Sequence, residues 1–220
     1  MKRIAVSFTL TMTVALMLSA CHFGVRGSGK RKTEKRDLPA FTSIETTGAF
    51  EVEVKCQKPV SFEIEADDNL LPLVETEVRG GVLHLSTTKG YSSKGGIIAR
   101  INVPDLAGIK STGAGKFHIT DVKNDSFEIR STGVAQLDAA GQSKSVKISS
   151  TGAGQIDAHN LRADKADVDL TGAAVVEVNA VDELEVKVSG AGHVIYSGNP
   201  KVNKNVSGAG QVTKKESTGV

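Results

Sequence analysis

Ser111-Thr112-Gly113-Ala114-Gly115 is the first full copy of a motif that decides the fold. It returns as Ser131-Thr132-Gly133-Val134-Ala135, Ser150-Thr151-Gly152-Ala153-Gly154, Leu170-Thr171-Gly172-Ala173-Ala174, Val188-Ser189-Gly190-Ala191-Gly192 and Val206-Ser207-Gly208-Ala209-Gly210. Between the glycines Gly113, Gly133, Gly152, Gly172, Gly190 and Gly208 the steps are 20, 19, 20, 18 and 18 residues. Self-similarity at a period of about 20 residues marks a solenoid.

The residues flanking each glycine say which solenoid. Four positions before it stand Ile109, Ile129, Ile148, Val168, Val186 and Lys204, and six before it Ala107, Phe127, Val146, Ala166, Leu184 and Val202. Four positions after it stand Phe117, Leu137, Ile156, Val176, Val194 and Val212. Apolar and polar residues alternate with period two on both arms, the pattern of a half-buried strand. Each repeat therefore reads as two strands meeting at a glycine corner. A further apolar residue, Val122, Leu161 or Val181, predicts a short third side. Stacked with a strand spacing of about 4.8 Å, such repeats give an all-β chain wound as a right-handed parallel β-helix with an aliphatic core. Glycine suits the corner because it accepts positive φ without a Cβ clash. Thr112, Thr132, Thr151, Thr171, Ser189 and Ser207 are expected above one another as a structural ladder of hydroxyls.

The N-terminus has a different character. Met1-Lys2-Arg3 precedes an apolar run to Met17 and then Leu18-Ser19-Ala20-Cys21. Residues 1–20 read as a secretory signal too short to serve as an ordinary membrane span. The ending resembles a bacterial lipobox, which makes Cys21 the lipidated first residue of the mature chain and the membrane its partner through that anchor. His22, rather than an aspartate, follows it, which resembles sorting to the outer membrane. Residues 21–37 read as a basic linker, flexible and polar, leading to a domain at 38–213 and a charged tail at 214–220. The only other cysteine, Cys56, falls in a strand-like stretch without a local base, which suits a structural thiol.

The 27 basic and 25 acidic residues give a formal charge of +2, but the basic excess sits at the N-terminus. Without the signal and the linker, 19 basic face 23 acidic residues, a body of formal charge −4. A mildly acidic body poor in aromatics does not fit nucleic-acid binding.

Earlier in the chain, Val60, Phe62, Ile64 and Ala66 alternate with polar neighbours, Thr47-Gly48-Ala49 echoes the corner motif, and Arg79-Gly80-Gly81 predicts a tight hairpin. Phe41-x-x-Ile44, Asp68-Asn69-Leu70-Leu71, this hairpin and the serial corners together resemble the auto-transporter adhesin head, or GIN, domain family over roughly residues 38–212. The resemblance implies a right-handed β-helix on a secreted or lipid-anchored bacterial protein. It transfers no catalytic residue.

Candidate chemistry is sparse. Five positions past the glycine, Asp138, Asp157 and Glu177 occupy consecutive repeats and form a candidate stripe for a cation or polar ligand, since stacked oxygen ligands suit a hard cation; a solvated acidic stripe is the plain alternative. His118, His159 and His193 fall at different offsets and share no column. No cofactor is expected. A polysaccharide lyase or hydrolase on the same fold needs acids in a cleft with aromatic platforms, whereas this chain has no Trp and two Tyr. The expected function is a lipid-anchored binding, adhesion or scaffolding surface of the bacterial envelope, with a glycan or protein as ligand and no catalysis. An envelope protein that stacks end to end is the other alternative, which charges at Lys214, Lys215 and Glu216 oppose.

Overall fold

The computed structural model describes residues 24–215. The expected signal at 1–20, Cys21 and residues 216–220 of the tail lie outside the described residues. The chain is all-β, with strands β1 (Val25–Arg26), β2 (Arg31–Lys35), β3 (Ser43–Lys55), β4 (Ser61–Asp67), β5 (Val74–Arg79), β6 (Val82–Thr87), β7 (Tyr91–Ser92), β8 (Ile98–Asn102), β9 (Gly108–Gly190), β10 (His193–Ser197), β11 (Lys201–Gly208) and β12 (Gln211–Lys214). Among the described residues one 3-10 turn, Leu71–Leu73, interrupts them.

Fully extended, the 83 residues of β9 would reach about 270 Å. They do not run straight. A Cβ added to Gly133 would lie 2.4 Å from the Gly113 carbonyl oxygen, one on Gly152 2.3 Å from that of Gly133, and one on Gly172 2.3 Å from that of Gly152. The corner motifs thus lie directly on one another. At the ends of the series the pairing is parallel: Gly48 opposes Gly113 and Gly190 opposes Gly208. All six corner glycines have φ between +108° and +133°, a backbone conformation that a side chain would strain.

The sheet is mixed. β3, β9, β10, β11 and β12 pair in parallel, whereas β2 with β4, β4 with β8 and β5 with β6 are antiparallel. A wholly parallel expectation therefore fails for the first half of the chain, between residues 31 and 102. There Gly80 and Gly81, at φ +57° and +78°, make the two-residue hairpin that brings β5 back along β6.

Alternation fills the interior. Ile129, Ile148 and Val168 are each 0 % exposed, and Phe127, Leu184, Phe117 and Val176 are buried with them. Five expected core positions differ, among them Val202 and Val212, which are half-buried near the C-terminal end. Ala107 is exposed, and its neighbour Leu106 is buried instead. Val181 is half-buried while its neighbour Ala180 is interior. Lys204, in an otherwise aliphatic column, is exposed on the terminal β11, where no further strand covers it. The hydroxyl column also shifts in meaning. Thr132, Thr151 and Thr171 face solvent, whereas Thr46, Ser111, Ser131 and Ser150, each one residue before a threonine of the corner motif, are buried.

Residues 24–37, expected as a flexible tether, are built into the body. β2 pairs antiparallel with β4, setting Arg31 opposite Asp67 and Lys35 opposite Glu63. The reason is charge complementarity: Arg31 Nε lies 3.0 Å from Glu65 and Lys35 Nζ 3.2 Å from Glu63. Arg36 then donates to the carbonyls of Val74 at 2.7 Å and Leu71 at 3.2 Å. A basic segment is held wherever a neighbouring strand displays acids in register.

Candidate functional site

The outward column of the second arm orders the surface. Starting from β2, strand registers align Lys35 with Glu63, Glu63 with Arg100, Arg100 with Glu53, and Glu53 with His118. Farther along, Glu177 aligns with Ile195 and Ile195 with Thr213. Opposite charges alternate at the start of this column, so Arg100 bridges Glu65 at 2.9 Å and Glu53 at 3.4 Å. Asp138, Asp157 and Glu177 occupy the same offset in the middle, where no basic residue of the column intervenes.

Asp157 and Glu177 come together there, and His159 joins them: one ligand atom from each lies within 4.8 Å of the other two. Asp138 is not one of this group. His159 enters because alternate residues of a strand face the same side, so a histidine two positions after Asp157 shares its face. Its Nδ1 sits 2.5 Å from Asp157 Oδ1, and its backbone N–H donates to the same oxygen at 3.1 Å. Lys215 supplies a cation from the last described residue, placing Nζ 3.0 Å from Glu177 Oε2. Partial burial pushes the Asp157 carboxyl up, but the hydrogen bonds from His159 and the charges of His159 and Lys215 outweigh it and hold the group below the usual carboxylate range. Lys215 sets its cation against the two carboxylates, and a divalent cation entering the cluster has to compete with it.

Comparing histidines only with one another missed His159; the relevant signal was the Asp-x-His spacing on one strand face. Lys215 was legible only as a tail charge, because its partner lies two strands back.

A second surface feature runs along the corners. Ala49, Ala114 and Val134 project beside the glycines, and next to them come Glu51, Lys116, Gln136 and Gln155. Tyr91 and Ile97 close one end of a shallow depression over these residues, and the Tyr91 hydroxyl donates to the Ala49 carbonyl at 2.5 Å. Val134 is 60 % exposed. Apart from Val134 the surface is flat, because alanine and glycine occupy the positions nearest the corner.

The family profile described as "Putative auto-transporter adhesin, head GIN domain" matches residues 40–200. Among solved structures, the fold is shared with a "putative adhesin" from Bacteroides fragilis at 22% identity and TM-score 0.67, over 87% of this chain and 99% of that one. A "putative adhesin" from Parabacteroides distasonis gives 20% identity and TM-score 0.62, over 87% and 100%. A "Putative lipid binding protein" from the same organism gives 19% identity and TM-score 0.52, over 87% and 99%. At these identities the likeness is one of fold. No curated protein matches the sequence.

Proposed function

The chain belongs to the auto-transporter adhesin head GIN domain family, and from that premise we propose that it is a lipid-anchored binding module of the bacterial envelope whose long outer face engages a glycan or protein ligand. The proposal has the body as a right-handed parallel β-helix with repeats of 18 to 20 residues, tethered through Cys21 to the outer membrane. Offsets of 18 residues between paired strands, as Lys201 with Glu183 and His193 with Val175, support the winding.

One observation carries the binding role: corner glycines lie in contact from Gly48 to Gly208, which keeps a single face continuous across the repeats. That face offers hydroxyls at Thr132, Thr151 and Thr171 and amides at Gln136 and Gln155, groups suited to hydrogen-bonding a polar polymer. Catalysis has less support, because the carboxylates of Asp157 and Glu177 are already bonded to His159 and Lys215. End-to-end assembly is disfavoured by charge. It would bring β2, with Arg31, Lys32 and Lys35, against β11 and β12, with Lys201, Lys204 and Lys214.

A glycan array probed with residues 22–220 tests this reading. Retention of one glycan class, lost on Gln136→Ala with Gln155→Ala, is the expected result. Shortened glycans after incubation would instead make the protein an enzyme.

A further inference from the structure

We propose that the exposed cations Arg26, Lys30, Lys32, Lys89 and Lys94 form a face that docks on anionic lipid headgroups, so that the body lies against its membrane in one orientation. The proposal rests on the reading that Cys21 carries the lipid.

Chain length is the first argument. Three Cα steps separate Cys21 from Gly24, so at most about 11 Å lies between the anchor and the first residue of the body. The chain is fixed from there on. Val25 N donates to the Gly90 carbonyl at 2.8 Å and Gly27 N to that of Ser92 at 2.9 Å, as β1 pairs with β7. Ser28 N donates to Asn69 Oδ1 at 2.9 Å, and Asn69 Nδ2 to the Arg26 carbonyl at 2.8 Å. A lipid on Cys21 therefore cannot let the body drift from the bilayer by much more than the Debye length of about 8 Å.

Charge is the second argument. Arg26, Lys30, Lys32, Lys89 and Lys94 are exposed and form no ion pair among the described residues, unlike Arg31, which Glu65 and the Gly96 carbonyl engage. Of the two acids nearby, one is buried. Asp67 is 3 % exposed and accepts from Ser93 Oγ at 2.9 Å; Asp68, which accepts from Ser28 Oγ at 2.5 Å, is exposed and leaves one carboxylate against the five cations. Arg26, Arg31 and Lys94 also line one open hollow of about 890 Å³ together with Gly27, Gly29, Gly95, Ser93 and Asp67, where three cations outnumber one carboxylate around a phosphate-bearing headgroup. Each basic residue near an anionic surface contributes about 1 kcal/mol.

Docking there sets β2 at the membrane end of the ten-strand order and the β12 edge about 43 Å from it along the sheet. The outer face then extends away from the bilayer.

The test uses the full lipidated protein reconstituted in vesicles of phosphatidylethanolamine with phosphatidylglycerol, or of phosphatidylcholine alone, with lysine acylation rates read by mass spectrometry. Lys30, Lys89 and Lys94 should react about fivefold more slowly on the anionic vesicles, the protection disappearing in about 1 M salt. Lys187, on another face, should react alike on both. Equal rates at Lys30, Lys89 and Lys94 on a lipidated, vesicle-bound protein overturn the docking face and leave the anchor standing. An N-terminal peptide without lipid on Cys21 overturns both.

Discussion

Lys215 Nζ lies 3.0 Å from Glu177 Oε2, although the two residues are 38 apart in sequence. The intervening column residue, Ile195, offers no charge, so the lysine reaches past it to the strand behind. This contact fastens the last strand, β12, which otherwise pairs only with β10. Exposed ion pairs contribute about 1 kcal/mol or less. Lys215→Ala should therefore leave the unfolding midpoint nearly unchanged while speeding amide exchange at residues 211–214. Unaltered exchange there would remove the fastening role.

The Asp157 carboxyl carries the clearest pH signature of the cluster. Its folded pKa is depressed, so the stability it contributes is present above the unfolded-state value and is lost as pH falls through the folded one. Wild type should exceed Asp157→Asn in urea midpoint at neutral pH, and the difference should shrink on acidification below the ordinary aspartate range near 3.9. A difference that stays constant down to the acid limit would assign the effect to packing.

The candidate cation role at Asp157 and Glu177 has a direct test in calcium calorimetry. Lys215 competes for the same oxygens, so Lys215→Ala should bind calcium more tightly than wild type, and Asp157→Asn should bind it more weakly than either. Absence of heat from all three proteins ends the cation role.

Strand periodicity was readable because each buried side chain is followed by an exposed one: Phe127, Ile129, Val146 and Ile148 sit inside as their spacing from Gly133 and Gly152 demands. The first half was less readable. Antiparallel pairing of β2, β4 and β8 depends on Arg31 meeting Asp67 and Lys35 meeting Glu63, contacts between segments that no repeat relates. Composition alone made residues 24–37 look like a solvated tether, since a basic run shows its charge but not the acids awaiting it. His159 stayed hidden for a similar reason. Its partner in the cluster is a carboxylate on its own strand, not another histidine.

Glycines at positive φ differ in what a side chain would cost. At Gly152, φ is +133° and a Cβ would meet the Gly133 carbonyl oxygen at 2.3 Å, so backbone strain and a main-chain clash coincide. Gly29, at φ +79°, has nothing within 4 Å of its Cβ position and carries only the conformational penalty. Strain of this kind costs about 1–3 kcal/mol. Gly152→Ala should cost at least that much in chemical denaturation, and Gly29→Ala clearly less. Equal costs would show that the corners do not depend on close stacking.

Cys56 gives a probe of how the interior opens. Its side chain is 1 % exposed, and burial first, then the charges of Asp105 and Asp121, push the thiol up to about 11. Since the thiolate is the reactive form, the native protein should resist alkylation at pH 8 on both steric and electrostatic grounds. Reaction should then proceed only through unfolding, with a rate that rises with urea in step with loss of the β circular-dichroism signal. Labelling in native buffer as fast as that of a free cysteine would place Cys56 at a mobile opening between β3 and β8, and the packing around Val54 and Val103 would have to be looser than its burial implies.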